Sequence, residues 1–242
     1  MSFLACPAGR AVRQPNEYSG ADGEPGMFRN LYLNIQEFRI YFFFTSFLKM
    51  KRLCVYCGSS SGARPDYILA ARQLARTIVS KNIDLVYGGA SVGIMGEIAD
   101  TVLEEGGNVI GIIPKDLFVK EAAHTGLTEL REVASMHERK LLMAELSDGF
   151  IALPGGLGTF EEILEIITWS QLGMHQKPCG LLNVHRYYDK LIDFLDHAVS
   201  EHFIKKIHRS IVIAEESPEI LLEKFEAYKA PETVEWIDRD SA

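Results

Sequence analysis

The chain has 242 residues, of which 47% are apolar and 24% charged, as is typical of a globular protein of one large or two small domains. This composition excludes the disordered and fibrous classes. The 25 Lys and Arg against 33 Asp and Glu give a formal net charge of −8. Because binding to a nucleic acid polymer depends on cationic side chains that neutralise phosphates, this charge argues against such a partner.

The first 49 residues differ in pattern from the rest. Residues 1–37 show no periodicity, and residues 38–48 form an aromatic run shorter than the ~20 apolar residues that span a bilayer. The run also fits a signal peptide poorly, so we predict no membrane partner. We expect residues 1–49 to be a poorly ordered extension or not native, and residues 50–242 to form one domain. Met50 as the true start and an extension that packs on a partner both stay open.

From residue 50 onward, short apolar runs alternate with segments of helical period. Runs that are continuously apolar indicate parallel strands covered on both faces, so we predict an α/β fold with a doubly wound parallel sheet. The predicted strands are residues 53–56, 83–87, 109–113, 149–153, 180–184 and 211–214. The predicted helices are residues 65–80, 93–105, 136–146, 160–172, 187–201 and 218–228.

Three loops that follow predicted strands are rich in glycine and small residues. We name them the first loop (residues 58–62), the second loop (residues 88–96) and the third loop (residues 154–159). In such a sheet these loops meet at one edge, where backbone N–H groups and helix N-termini bind anions. The pattern predicts a nucleotide or sugar-phosphate site.

Two cations stand near a predicted helix start. Ser135 and Glu138 have the spacing of a capping box, so a helix is expected to begin at Met136. Arg139 and Lys140 then lie close to its first turn, where the helix dipole disfavours positive charge. Two interpretations stay open: Arg139, with or without Lys140, meets an anionic ligand, or the pair faces surface carboxylates.

Glu162 is similarly ambiguous. Its spacing from Thr159 is also that of a capping box, so it could simply close the start of its helix. With Glu161 and Glu165, however, it forms a set of three acids within two turns, at least one of which should face the glycine loops. A carboxylate repels a bound phosphate, so its presence there favours general acid or base chemistry over binding alone.

The string PGGLGTFEE at residues 154–162 resembles the PGGxGTxxE motif of the LOG (Lonely Guy) family, the cytokinin riboside 5′-monophosphate phosphoribohydrolases. Similar segments follow the family's order: CGSS at 57–60, YGG at 87–89, GIMG at 93–96, IP at 113–114, MHERK at 136–140 and KP at 177–178. The resemblance covers residues 51–228 and implies a Rossmann-like fold and a homodimer or an oligomer of dimers. It also implies hydrolysis of the N-glycosidic bond of a purine nucleoside 5′-monophosphate to free base and ribose 5-phosphate.

By this resemblance the catalytic pair falls on Arg139 and Glu162. The implied substrate-binding residues are Ser59, Gly89, Met136, Gly155, Gly156, Gly158 and Thr159, and the helix argument adds Lys140 as a second cation for the anionic ligand. Because bond cleavage builds positive charge on the ribose, Glu162 is expected to stabilise that charge and activate water, while Arg139 neutralises the phosphate. The cytokinin nucleotide and AMP both stay open as substrates, and no cofactor or metal is expected.

Members of this family are often labelled lysine decarboxylases. That reaction needs pyridoxal phosphate on a lysine, and neither Lys115 nor Lys140 has a recognisable Schiff-base context. Two rival functions stay open: a non-catalytic nucleotide or cofactor carrier on the same fold, and a dinucleotide-binding dehydrogenase. The dehydrogenase is disfavoured because Pro114 and Lys115, not an acid, follow the third predicted strand.

The four cysteines are too few for a disulfide framework in a chain of this length, so we expect a reducing, cytoplasmic compartment. Cys54 and Cys57 are predicted to be core thiols, with no part in zinc or dithiol chemistry. The apolar stripe within residues 163–172 is predicted to serve as core and subunit interface.

Overall fold

Strands and helices alternate along the part of the chain that the computed structural model describes, residues 50–117 and 122–231. The predictions made for residues 1–49 lie outside it. The strands are β1 (Arg52–Tyr56), β2 (Asp84–Tyr87), β3 (Val109–Pro114), β4 (Glu129–Val133), β5 (Gly149–Ala152), β6 (Cys179–Leu182) and β7 (Val212–Glu215). The helices are α1 (Pro65–Ser80), α2 (Gly93–Glu104), α3 (Met136–Leu146), α4 (Leu157–Gln171), α5 (Asp189–Ser200), α6 (Lys206–Arg209) and α7 (Pro218–Glu226).

These strands form one sheet in the order β4-β3-β2-β1-β5-β6-β7, and every neighbouring pair is parallel. The order reverses at β1, which pairs with β2 on one side and β5 on the other. This topology confirms the predicted α/β, doubly wound fold. The loops after β1 and β5 therefore flank the switch point, where open α/β sheets form their ligand crevices.

The prediction of six strands was wrong, because β4 was missed. Its sequence, ELREV, carries three charges and no apolar run. The strand lies at the edge of the sheet, paired with β3 alone, and only Val133 is buried. An edge strand can leave most of its side chains in water, so the apolar signal used for the central strands does not mark it.

The core lies in two layers, one on each face of the sheet. Along β1, Leu53 and Val55 belong to one layer, while Cys54 and Tyr56 belong to the other. Cys54 and Cys57 are buried thiols, as predicted, and burial raises the pKa of both. Among the described residues, no helix combines the length and apolar character needed to cross a membrane.

Candidate active site

The three glycine loops contact one another at the carboxyl edge of the sheet. The N–H of Gly58 in the first loop donates to the carbonyl of Pro154 in the third loop, at 3.2 Å. The carbonyl of Gly58 accepts from the N–H of Met95 in the second loop, at 3.3 Å. A Cβ at Gly93 would lie 2.3 Å from the Ser59 backbone, so the close approach of the first two loops requires glycine there. The first loop is thus packed between the other two.

The third loop leads directly into α4. The helix begins at Leu157 with Gly156 as its N-cap, so the expected start at residue 160 was wrong. Thr159 therefore lies inside the first turn and is buried, and a Cβ at Gly155 would lie 2.1 Å from its Oγ1. Glu162 lies in the second turn and is not a capping residue. A Cβ at Gly156 or Gly158 would meet nothing within 4 Å, so the backbone here borders open space.

Helix geometry makes this open space suited to an anion. The first N–H groups of α4 have no acceptor within the helix, and no side chain caps them. The dipole of this 15-residue helix adds partial positive charge at the same end. A phosphate at the start of α4 would receive both the hydrogen bonds and the favourable field.

Arg139 and Glu162 form a buried ion pair beside these loops. Arg139 of α3 is only 5% exposed, and its Nη2 lies 3.6 Å from Oε1 of Glu162, whose side chain is 10% exposed. The guanidinium of Arg139 passes over Gly88, just after the end of β2. A Cβ added at Gly88 would lie 2.1 Å from Nη2 of Arg139 and 2.7 Å from Cε of Met95. Two charges taken out of water are costly even when paired, so such a pair is typical of a functional site.

Lys140 has a different environment from its neighbour. Its Nζ lies 2.5 Å from Oε1 of Glu161 and 3.0 Å from Oε2 of Glu165. Burial disfavours the charged amine, but the hydrogen bonds to these carboxylates outweigh burial and raise the pKa of Lys140. Lys140 thus contacts carboxylates, as one of the two interpretations expected of the pair, and its part in substrate binding stays a prediction. The buried position beside the loops belongs to Arg139.

The other sequence-predicted site residues lie on the same three loops or at the start of α3. Ser59 is exposed on the first loop, and Met136 is exposed at the first position of α3. Ser135 caps α3 as predicted, accepting from the N–H of Glu138 at 3.2 Å. Gly89 has a φ of +81°, and its carbonyl accepts from the N–H of His124 at 2.9 Å.

Sequence reasoning missed two tyrosines in the turn after β6. The hydroxyl of Tyr187 donates to the carbonyl of Gly155 at 2.5 Å, and that of Tyr188 donates to the carbonyl of Leu153 at 2.7 Å. The bond from Tyr187 holds the backbone of the third loop, and the bond from Tyr188 holds the residue just before that loop. The signal that could have found them is their position after a strand, at the same sheet edge as the glycine loops.

Comparison with known proteins identifies the family. Residues 95–225 match a family model described as possible lysine decarboxylase. Cytokinin riboside 5′-monophosphate phosphoribohydrolase LOG1 of Arabidopsis thaliana is 52% identical over 180 residues, covering 74% of this chain and 84% of the relative. This protein belongs to the LOG family. Rice (Oryza sativa subsp. japonica) LOGL6, named as a probable cytokinin riboside 5′-monophosphate phosphoribohydrolase, is also 52% identical over 180 residues. The match covers 74% of this chain and 72% of the LOGL6 chain.

Solved structures share the fold of this LOG-family chain at lower identity. The molybdenum cofactor carrier protein of Chlamydomonas reinhardtii has a TM-score of 0.56 and 19% identity, covering 74% of this chain and 99% of its own. The molybdenum cofactor binding protein of Rippkaea orientalis has a TM-score of 0.55 and 23% identity, covering 73% of this chain and 96% of its own. These likenesses support the Rossmann-like fold.

The residues of this LOG-family site do not fit the pyridoxal phosphate that a lysine decarboxylase would need. A Schiff-base lysine must be able to lose its proton, which burial or a neighbouring cation promotes. Lys140, the lysine next to Arg139, is instead held by two carboxylates that raise its pKa. Within the described residues, no group of three or more His, Cys, Asp and Glu side chains could hold a metal ion.

Proposed function

We propose that this protein hydrolyses the N-glycosidic bond of purine nucleoside 5′-monophosphates, releasing free base and ribose 5-phosphate. The observation that carries the proposal is the buried Arg139–Glu162 pair on and beside α4, whose first turn has no side-chain cap. Relatives 52% identical to this chain carry the name of this activity on cytokinin riboside 5′-monophosphate.

The spacing along α4 suits a phosphorylated ribose. Glu162 lies five residues after Leu157, which corresponds to about 7.5 Å along the helix axis. A 5′-phosphate bound at the start of α4 would therefore place the sugar, with its anomeric carbon, over the second turn of the helix. The Glu162 carboxylate would then lie beside the atom at which positive charge develops.

The chemistry follows from that placement. As the bond to the base breaks, the ribose gains oxocarbenium character, and a nearby carboxylate stabilises it more than it stabilises the neutral ground state. Glu162 also orients the attacking water and accepts its proton, while the departing base takes up a proton at a ring nitrogen, so that one water is added across the broken bond. Arg139 contacts Glu162 at 3.6 Å, so it holds this carboxylate in place and balances its charge against the anionic substrate.

The substrate class we propose includes AMP as well as the cytokinin nucleotide. The two bases differ by one apolar substituent on the purine, and the catalytic pair acts on the ribose common to both. The same residues therefore support AMP nucleosidase activity, and the base preference is a ratio that an assay measures.

We further propose that the enzyme is a cytoplasmic homodimer. Exposed apolar side chains lie on or near α4 and α5, which cover one face of the sheet, and a second copy would bury them. They include Leu172, Met174, Phe194 and Phe203. The three cysteines among the described residues are all free thiols, which suits a reducing compartment.

The test uses the purified full-length chain with AMP and with isopentenyladenosine monophosphate in parallel. Free base and ribose 5-phosphate are followed by chromatography. Glu162→Gln should abolish release from both substrates, because the amide cannot take up a proton or balance the ribose charge. Glu161→Gln is the matched control: this neighbour is half exposed and pairs with Lys140, so its loss should leave turnover intact.

Two results would contradict the proposal. If Glu162→Gln retained the wild-type rate, the role given to this carboxylate would be wrong. If the wild-type protein bound both nucleotides and released no base from either, the chain would be a carrier of the kind that shares its fold.

A further inference from the structure

The turn after β6 and the first loop together hold three consecutive carbonyls before α4. The carbonyl of Leu153 accepts from the Tyr188 hydroxyl at 2.7 Å, and that of Gly155 accepts from the Tyr187 hydroxyl at 2.5 Å. Between them, the carbonyl of Pro154 accepts from the N–H of Gly58 at 3.2 Å. Each donor lies outside the third loop.

The bond from Tyr187 has a direct effect on the next N–H. In a planar trans peptide, the carbonyl and the N–H of one unit point in opposite directions. Because the carbonyl of Gly155 points to the Tyr187 hydroxyl, the N–H of Gly156 points away from the β6 turn. A Cβ at Gly156 would meet nothing within 4 Å, so the backbone there borders open space at the start of α4.

This peptide needs an external constraint. It joins two glycines, whose wide conformational range makes rotation of the peptide plane between them inexpensive. Without a donor on the Gly155 carbonyl, the N–H of Gly156 would sample several directions. A ligand phosphate would then have to select one of them, which weakens binding.

The turn that carries the tyrosines is built to hold them. His185 and Arg186 have φ angles of 48° and 61°, in the left-handed region that non-glycine residues seldom occupy. Asn183, which is buried, accepts from the N–H of Tyr188 at 2.7 Å and donates to Asp189 at 2.9 Å. Strain of this kind persists where the surrounding contacts determine one conformation and is common at functional sites.

The Tyr187 ring is held separately from its hydroxyl. The ring stacks on that of Phe160, with centroids 6.4 Å apart, and packs edge-to-face with the ring of Tyr67, with centroids 5.8 Å apart. A phenylalanine at position 187 would keep these ring contacts and lose only the donor. The substitution therefore isolates the bond to Gly155.

We propose that Tyr187 is a positioning residue for the substrate phosphate. It acts through the Gly155–Gly156 peptide, directing the N–H of Gly156 at the phosphate oxygens. This inference rests on the proposed function, which places a 5′-phosphate at the start of α4. Nothing in it requires Tyr187 to touch the reacting atoms.

The test compares Tyr187→Phe with wild type and with Tyr67→Phe, which removes a hydroxyl from the same aromatic cluster. Binding of ribose 5-phosphate is measured by calorimetry, and kcat and KM are measured with AMP. Tyr187→Phe should weaken ribose 5-phosphate binding about 10-fold and raise KM by a similar factor with little change in kcat, as expected for one hydrogen bond to a charged group. Tyr67→Phe should match wild type in every value.

A second measurement reads the amide itself. In protein labelled with ¹⁵N-glycine, ribose 5-phosphate should shift the Gly156 amide strongly downfield in wild type and weakly in Tyr187→Phe. Thermal unfolding shows whether the variant is folded during both experiments.

Equal affinity of wild type and Tyr187→Phe for ribose 5-phosphate would overturn the assignment. The assignment would also be overturned if Tyr187→Phe lost as much affinity for adenosine, which lacks the phosphate, as for ribose 5-phosphate. If wild type releases base from neither AMP nor isopentenyladenosine monophosphate, the proposed function fails, and the ribose 5-phosphate titration still decides the role of Tyr187 by itself.

Discussion

Gly88→Ala should strongly reduce the activity of this enzyme while leaving its fold nearly intact. A Cβ at Gly88 would lie 2.1 Å from Nη2 of Arg139 and 2.7 Å from Cε of Met95. Both atoms are the far ends of flexible side chains, so they can move without displacing the backbone. Gly88 is not among the glycines with positive φ, and alanine therefore adds no backbone strain of that kind.

The displacement gives the expected magnitude. Nη2 must retreat by about 1.4 Å to restore an ordinary contact of about 3.5 Å with the new methyl group. Such a movement disturbs the 3.6 Å contact with Glu162. Misplacement by about 1 Å near the reacting atoms can cost about 100-fold in rate, equivalent to about 2.7 kcal/mol of transition-state stabilisation. We expect kcat/KM to fall by about that factor.

Gly107→Ala is the matched control. Its added Cβ would lie 2.7 Å from Cγ2 of Val79 and 2.8 Å from Cγ1 of Val102, in a packed region between α1 and α2. Overpacking of this kind costs about 1–3 kcal/mol of stability. Gly107→Ala should therefore melt at a lower temperature than wild type and keep its kcat/KM when assayed well below that temperature.

The assay is base release from AMP or isopentenyladenosine monophosphate under kcat/KM conditions, with thermal unfolding of the same samples. Gly88→Ala should lower activity with little change in stability, and Gly107→Ala should lower stability with little change in activity. A Gly88→Ala enzyme with kcat/KM within threefold of wild type would refute the argument that the guanidinium position at the end of β2 controls catalysis.

Three other predictions concern the N-cap of α3 and the ion pairs between α3 and α4. Arg139→Met should lower the free energy of unfolding by about 3–5 kcal/mol, because it leaves Glu162 buried without this cation. Adding Glu162→Gln should restore part of that stability while activity stays absent. A double-mutant cycle measured by denaturant unfolding would show this. Ser135→Ala should lower the free energy of unfolding by about 1 kcal/mol, because the N-cap hydrogen bond from the N–H of Glu138 is lost. The measurement is the melting temperature, and an unchanged value would contradict the role of the cap. The raised pKa of Lys140 means that its pairing stabilises the fold fully below its ordinary value of 10.5 and is lost as pH rises through the higher folded value. Wild type should therefore lose more stability between pH 9 and about pH 11.5 than Lys140→Met does, in urea unfolding at both values.

The sequence by itself determined the elements whose signals are local. Continuous apolar runs predicted the central strands, because a parallel strand buried on both faces needs apolar side chains throughout. The start of α3 at Met136 was predicted because a capping box satisfies N–H groups within three residues of the cap. The three loops could be placed at one edge because parallel strands all end on the same side of their sheet.

Tertiary structure decided the features that depend on distant partners. The start of α4 carries no capping side chain, and its glycine loop packs against Gly58, about a hundred residues earlier in the chain. The edge strand β4 exists because β3 offers it a free row of hydrogen-bonding groups, which the charged sequence of β4 does not reveal.

The roles of neighbouring charges were also decided by packing. Arg139 and Lys140 are adjacent and both cationic, but successive residues of a helix point about 100° apart. Once α3 had packed against the sheet and α4, Arg139 was directed inward to Glu162 and Lys140 outward to Glu161 and Glu165. The bond from Tyr187 to Gly155 joins residues 32 positions apart, so only the assembled sheet brings that donor to the loop.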